Sequence, residues 1–344
     1  MPESVSNVHS LIDALPKVEL HVHLEGSLAP ATLLKLARKH DLSSVPSTLD
    51  ELRQWYAFRD FPHFIDVYLA SLQALRDEED FALLALETAR NLARQNVRYA
   101  EVHISLLNHL EREVPAEVVF AGVEAGRRQA EEEHGIILRW IPDFPGHYGP
   151  DAGEQTLKEV IAVGPDSVIG FGVGGIEVER DQFTEVFAKA RAAGLRSLPH
   201  AGETHGPDRV WSAIRALHAE RIGHGIGSMQ DPELVAYLRD TQLPVDVSPT
   251  SNVATRMVDT AVEHPLPRML AEGLLVTLNS DDPPMFGTDL TNEYRTAHQM
   301  GMTPDQLATL ARNGVTASFL DDTRKTALHT EIDEVLRRWQ ADQG

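Results

Sequence analysis

Short runs of aliphatic and β-branched residues recur along this chain, separated by longer stretches in which apolar positions return at helical spacing. The short runs predict strands at Val18–Leu24, Val97–Ser105, Ile136–Phe144 and Val168–Gly175 in the first half of the sequence. The second half supplies Leu195–Gly202, Arg221–Gly227, Pro244–Asn252 and Leu274–Asp282. Between them lie helical patterns such as AEVVFAGVEAGRRQAEEEH before the third strand and DQFTEVFAKARAAG before the fifth. Such alternation predicts parallel strands joined by helical crossovers.

An α/β fold of the (β/α)8 TIM-barrel type accommodates this series, and residues 1–344 are expected to form one hydrolase domain of that kind. The spacing between strands allows one helix and two loops everywhere except after the first, where residues 43–80 look inserted. There QWYAFRDFPHFIDVYLASL carries too many aromatic residues to face one barrel. It reads equally as a helical pair with a small core of its own or as a lid over the strand ends.

Polar residues able to do chemistry gather at the C-terminal ends of the strands, where barrel enzymes place their sites. His21 and His23 end the first strand, His200 and Glu203 the fifth, His224 the sixth, and Asp281 with Asp282 the eighth. Residues two apart in a strand point the same way, so the HVH pair directs two imidazoles into one space. A pair of that kind also arises by chance. With His200 and Asp281 it makes three nitrogens and one oxygen, a set suited to one Zn²⁺ per chain with a position left open for water. A bridging lysine for a second metal is missing from VIGFGVGG. His9, His40, His134 and His329 read as surface residues, while His103 suits either the pocket or the core.

The net charge of −21 argues against nucleic acid as a partner, because phosphate recognition needs clustered cations. The absence of cysteine excludes a thiolate nucleophile, a disulfide framework and a Cys-ligated metal. No run approaches membrane-spanning length and the start lacks a basic-then-apolar leader, so a soluble, cytoplasmic enzyme is expected. Oligomeric state is not legible. The closing TRKTALHTEIDEVLRRWQ reads as an amphipathic helix that packs on its own barrel or on a partner.

PKVELHVHLEGSL, the Gly174-Gly175-x-Glu177 turn, HAGE at 200–203, RIGHG at 221–225, SPTSN at 248–252 and NSDDP at 279–283 together resemble the adenosine deaminase family of metal-dependent amidohydrolases. The resemblance runs through most of the chain and implies deamination of a 6-aminopurine, a small-molecule substrate, to its 6-oxo product plus ammonia. By similarity zinc is held by His21, His23, His200 and Asp281, and it lowers the pKa of its bound water. His224 is implied to orient this water and accept its proton, and Glu203 to protonate the ring nitrogen beside the attacked carbon. Asp282 is implied to hold the five-membered ring of the base, Gly175 to approach the six-membered ring through its backbone, and Glu25 to lie near the sugar 5′ position.

Two features depart from the pattern. Glu25 stands where adenosine-specific members carry Asp, and strand 2 ends EVHISLLNH without an Arg-Phe-Ser-Pro-like segment. Adenine deaminases favour Glu after the histidine pair but show Asp before the strand-6 histidine, where this chain has Gly223. The expected order of substrates is an adenosine-type nucleoside, then a 5′-modified nucleoside such as aminodeoxyfutalosine, then free adenine. Competing readings are amide or ester hydrolysis, which leaves Asp282 and Gly175 without a purpose, and a non-catalytic relative, which would have lost a ligand, the acid or the base.

Overall fold

The structure is a computed structural model describing residues 3–59 and 61–343; Met1, Pro2, Asp60 and Gly344, which fall within the expected domain, lie outside the described residues. Strands β1 (Lys17–His23), β2 (Val97–Ile104), β3 (Ile137–Pro145), β4 (Gly170–Gly174) and β5 (Arg196–Ser197) pair in that order, and β6 (His200–Ala201), β7 (Ile222–His224), β8 (Val245–Val247) and β9 (Val276–Leu278) form a second arc. Every pairing is parallel.

The arcs meet at two seams. At one, β5 and β6 are parts of a single barrel strand interrupted at Leu198 and Pro199, where proline has no N–H for a ladder. The interruption still bridges its neighbours, since Leu198 N donates to Phe171 O at 3.1 Å and Pro199 O accepts from Gly223 N at 3.0 Å. At the other, His23 N donates to Asp281 O at 2.8 Å and Asp281 N to His21 O at 2.9 Å, joining the last strand's end to β1. Eight strand positions result, the (β/α)8 barrel that the alternation predicts.

All eight expected strands are found, but the later ones are shorter than the apolar pattern suggested. Pro249 starts a helix, Pro249–Ala254, so SPTSN leaves the sheet immediately after Val247. The crossover helix Ala116–His134 covers the predicted segment and ends on Gly135 at φ 68°. Another, Glu78–Arg94, begins with a reciprocal capping box between Asp77 and Asp80. The opening helix Glu3–Ala14 buries Leu11 and Ile12 beside the N-terminal end of β1, where Lys17 Nζ donates to the carbonyls of Ile12, Leu15 and Gln95.

Residues 43–80 carry the helices Leu49–Trp55 and Phe61–Ser71 between β1 and β2. Phe58, Phe64 and Phe286 form a ring cluster that ties this insertion to the loop after β9. The C-terminal helix Asp322–Ala341 buries Ile332 and Leu336 against the barrel's own Pro304–Ala317 helix. No described helix is long and apolar enough to cross a membrane.

Candidate active site

Alternation along β1 brings His21 and His23 to one side, and both meet His200 from β6, with ring centroids 4.6 and 5.3 Å away. The Nε2 atoms of His23 and His200 face each other at 3.3 Å. Asp281 Oδ1 lies 3.4 Å from His23 Nε2 and 3.8 Å from His21 Nε2. The outer nitrogens have partners: His21 Nδ1 meets the Asp246 carboxylate, and His200 Nδ1 faces the Val173 carbonyl at 3.1 Å. A ring nitrogen facing an acceptor is the protonated one, so both rings present a bare Nε2 inward.

His21 Nε2 is buried with no hydrogen-bond partner among the described residues. Lone pairs turned toward each other, beside an orphaned buried nitrogen and a carboxylate, are unfavourable unless a cation lies between them. This donor set therefore fits a divalent metal ion, and His21, His23 and Asp281 offer ligand atoms within 4.8 Å of one another. Burial, followed by the neighbouring histidines, holds His21 and His200 well below the usual imidazole range, in the neutral form a metal requires.

The carboxylates around this centre differ in state. Asp281 Oδ2 accepts from Ser251 Oγ at 2.6 Å, and its neighbours His224 and His23 hold its pKa down against the cost of burial. Asp282 is pushed well above the carboxylate range, by burial first and then by Asp281. Its Oδ1 is buried without a partner among the described residues. Burial likewise raises Glu203, whose Oε2 lies 3.6 Å from His224 Nε2. One ionised carboxylate beside two that favour the proton is the separation that acid–base chemistry uses.

Two ends of the second arc are strained. His224 (φ 61°) and Asp281 (φ 65°) are non-glycine residues in left-handed backbone, a conformation found preferentially at functional sites. The turn carrying Glu203 is clamped by Glu177, whose carboxylate accepts from the backbone N–H groups of Gly202, Thr204 and His205. Arg180 donates twice to His200 O.

A cavity of about 840 Å³, measured out to its open mouth, reaches this centre. His23, His200, Glu203, His224, Asp281 and Asp282 line its floor. Gly175 lines it too, at φ 68°, where a Cβ would stand 3.4 Å from Pro145. Phe64, Ile65, Tyr68 and Leu69 of the inserted helix line it as well, together with Tyr148. Tyr68 Oη donates to Ser105 Oγ at 2.9 Å.

Glu25 lies directly behind the cavity wall. It is fully buried and absent from the cavity lining; Oε1 pairs with His109 Nε2 at 2.8 Å and Oε2 accepts from Ser105 N at 3.3 Å. It shapes the wall through those partners. His103 is a core residue, bonded to Asp143 at 3.2 Å beneath the pocket.

Asp143, Asp246, Arg221 and Asn252 carry parts of the site that the sequence reading left unassigned. Arg221 pairs with Glu101 at 2.7 Å and Asp246 at 2.9 Å, so the carboxylate holding His21 is itself held. The only sequence signals for these residues were their places on strands or in motifs already quoted.

The sequence pattern of the Adenosine deaminase family matches residues 16–335. Aminodeoxyfutalosine deaminase of Streptomyces avermitilis is 47% identical over 340 residues, 97% of this chain and 95% of that protein. Among solved structures, the adenine deaminase of Arthrobacter aurescens superposes with a TM-score of 0.91 at 34% identity, covering 94% of this chain and 100% of that one. An amidohydrolase of Burkholderia ambifaria with bound zinc gives 0.88 at 28% identity over 97% and 94% of the two chains. With the family pattern matched over residues 16–335 and the barrel in place, this chain belongs to the adenosine deaminase family, hydrolases acting on carbon–nitrogen bonds of cyclic amidines.

Proposed function

We propose that the protein is a zinc-dependent hydrolytic deaminase of a 6-aminopurine nucleoside bearing a 5′ substituent, with aminodeoxyfutalosine as the leading substrate. The observation that carries this is the 47% identity, over nearly all of both chains, to a protein named for that substrate. An adenine deaminase of Rhodospirillum rubrum stands at 37% over a similar span. The extended nucleoside accordingly moves ahead of adenosine, which the motifs alone had placed first. Ile65, Leu69 and Tyr148 in the cavity lining offer apolar surface to the 5′ substituent. The helix Phe61–Ser71 is the lid over the cavity.

His21, His23, His200 and Asp281 would hold the metal, and zinc bound there supplies the Lewis acidity that makes water nucleophilic near neutral pH. Glu203, kept protonated by burial, delivers its proton to the ring nitrogen beside C6 as the water oxygen bonds to that carbon. His224 faces the attacking oxygen, and the proton that water sheds enters the His224–Asp281 pair, 3.7 Å across. Asp282, protonated, donates to the five-membered ring, and the Gly175 backbone approaches the six-membered ring. Return of that water proton to the exocyclic nitrogen breaks the C6–N bond and releases ammonia, and the remaining hydroxyl proton passes to the Glu203 carboxylate, restoring the acid and leaving a 6-oxo purine.

A steady-state comparison of aminodeoxyfutalosine, adenosine, 2′-deoxyadenosine and adenine, followed by ultraviolet absorbance, tests the assignment. We expect kcat/KM for the extended nucleoside to exceed the others by about tenfold or more. A preference for adenosine or adenine overturns it.

A further inference from the structure

We infer that Asn108 is a specificity-determining residue whose side-chain NH₂ group donates a hydrogen bond to an acceptor oxygen at the 5′ end of the bound nucleoside. The inference deepens the deaminase reading and rests on that reading for the direction in which the sugar points.

Asn108 lines the cavity and is only 7% exposed, yet its side chain has no hydrogen-bond partner among the described residues, and Oδ1 is wholly buried. A side-chain amide offers both donors and acceptor lone pairs, and leaving them unpaired in the interior costs stability. Such a group persists where a ligand completes it. The two ends of the amide have the same shape, but a buried carbonyl oxygen without a donor is better tolerated than a buried N–H without an acceptor. The oxygen therefore stays in the wall, and the NH₂ group keeps the remaining exposure, on the cavity side. What the cavity is offered is a donor.

Its place along the cavity follows from the ring that bears the sugar. Asp282 is assigned to the five-membered ring, which carries the ribose, and the turn at Gly26 abuts Asp282 so closely that a Cβ there would fall 1.7 Å from Oδ1. The sugar therefore leaves the base on the side of Glu25 and Gly26. Glu25 has no oxygen to spare for it, being engaged by His109 Nε2 at 2.8 Å and by Ser105 N at 3.3 Å. Ser105 Oγ is engaged by Tyr68 Oη at 2.9 Å. One turn further along stands Asn108, its N–H donating to Ser105 O at 3.1 Å and its amide still uncommitted.

The amide is presented from a rigid base. The helix Leu106–Leu110 opens directly off β2 and packs on β3. Asn108 O accepts from Arg112 Nε at 3.3 Å, and Arg112 Nη2 donates to Leu75 O at 3.1 Å. A donor held in this way before the ligand arrives needs little ordering on binding. Asn108 also stands in EVHISLLNH, the segment that departs from the pattern of adenosine-specific members. The departure places a donor beside the sugar.

Steady-state kinetics on adenosine and 5′-deoxyadenosine, which differ only in the 5′ oxygen, read the contact in native protein, Asn108→Leu and Asn108→Asp. Leu keeps the branching of Asn without its polar atoms, and Asp keeps the shape without the NH₂ group. Native kcat/KM should favour adenosine over 5′-deoxyadenosine by about tenfold or more, through KM, and both variants should erase most of that ratio with zinc retained. Where turnover is too slow to measure, inhibition constants of the two nucleosides against the purine that is turned over give the same ratio. Should either variant fail to fold, the other carries the comparison. Without nucleoside, zinc-loaded Asn108→Leu should melt about 2 °C above native protein, because the unpaired amide is gone. A native ratio near one, a ratio that neither variant moves, or a lower melting temperature in Asn108→Leu overturns the inference. The native preference between adenosine and aminodeoxyfutalosine tests the substrate reading separately: a preference for adenosine overturns that reading and leaves the Asn108 comparison intact.

Discussion

The two arcs of the barrel do different jobs. Strands β1, β2 and β3 run seven, eight and nine residues and are buried along most of their length. Strands β6 to β9 are two or three residues long, yet His200, His224 and Asp281 stand at or just beyond their ends. His21 and His23 come from the closing residues of a long extended strand, whereas His224 and Asp281 occupy left-handed backbone. The long arc supplies a rigid frame with large apolar burial, and the short arc concentrates strained, polar ends against it.

Replacement of single groups in each arc tests that division. The largest effect is expected from Glu203→Gln, which removes the proton donor on the short arc. It should lower kcat by about 10³-fold or more while metal content and melting temperature stay at native values. Undiminished ammonia release would remove Glu203 from the chemistry.

On the long arc the opposite split is expected. Leu138 is fully buried in β3, and Leu138→Ala should cost about 2–5 kcal/mol of stability in denaturant titration. Activity per folded molecule should remain native. A large loss of kcat at full folding would mean that the frame takes part in catalysis.

The smallest effect probes where the arcs touch at the site. A Cβ on Gly26, just after β1, would fall 1.7 Å from Asp282 Oδ1. Gly26→Ala should therefore push Asp282 from its place and raise KM about tenfold, with zinc retained. An unchanged KM would show that Asp282 does not hold the base.

Much of the site was legible because its residues end strands, and strands announce themselves by local pattern. The HVH alternation, HAGE and NSDDP needed no knowledge of distant partners. What escaped depends on such partners: His21 meets Asp246 from 225 positions away, and Glu25 pairs with His109, 84 positions away. No periodicity encodes either contact. Strand length in the short arc was overestimated for a similar reason, since apolar character continues past Val247 while Pro249 has already turned the chain into a helix.

The seam between β1 and the segment after β9 has an implication for biosynthesis. Its two hydrogen bonds link His21 and His23 to Asp281, so the groups that close the cylinder are the ones that would grip the ion. A nascent chain still on the ribosome with residue 281 in the exit tunnel has neither a closed cylinder nor a complete set of ligands. Ion capture then has to follow the emergence of residue 281, and it should act as a latch on a seam that joins remote parts of the chain.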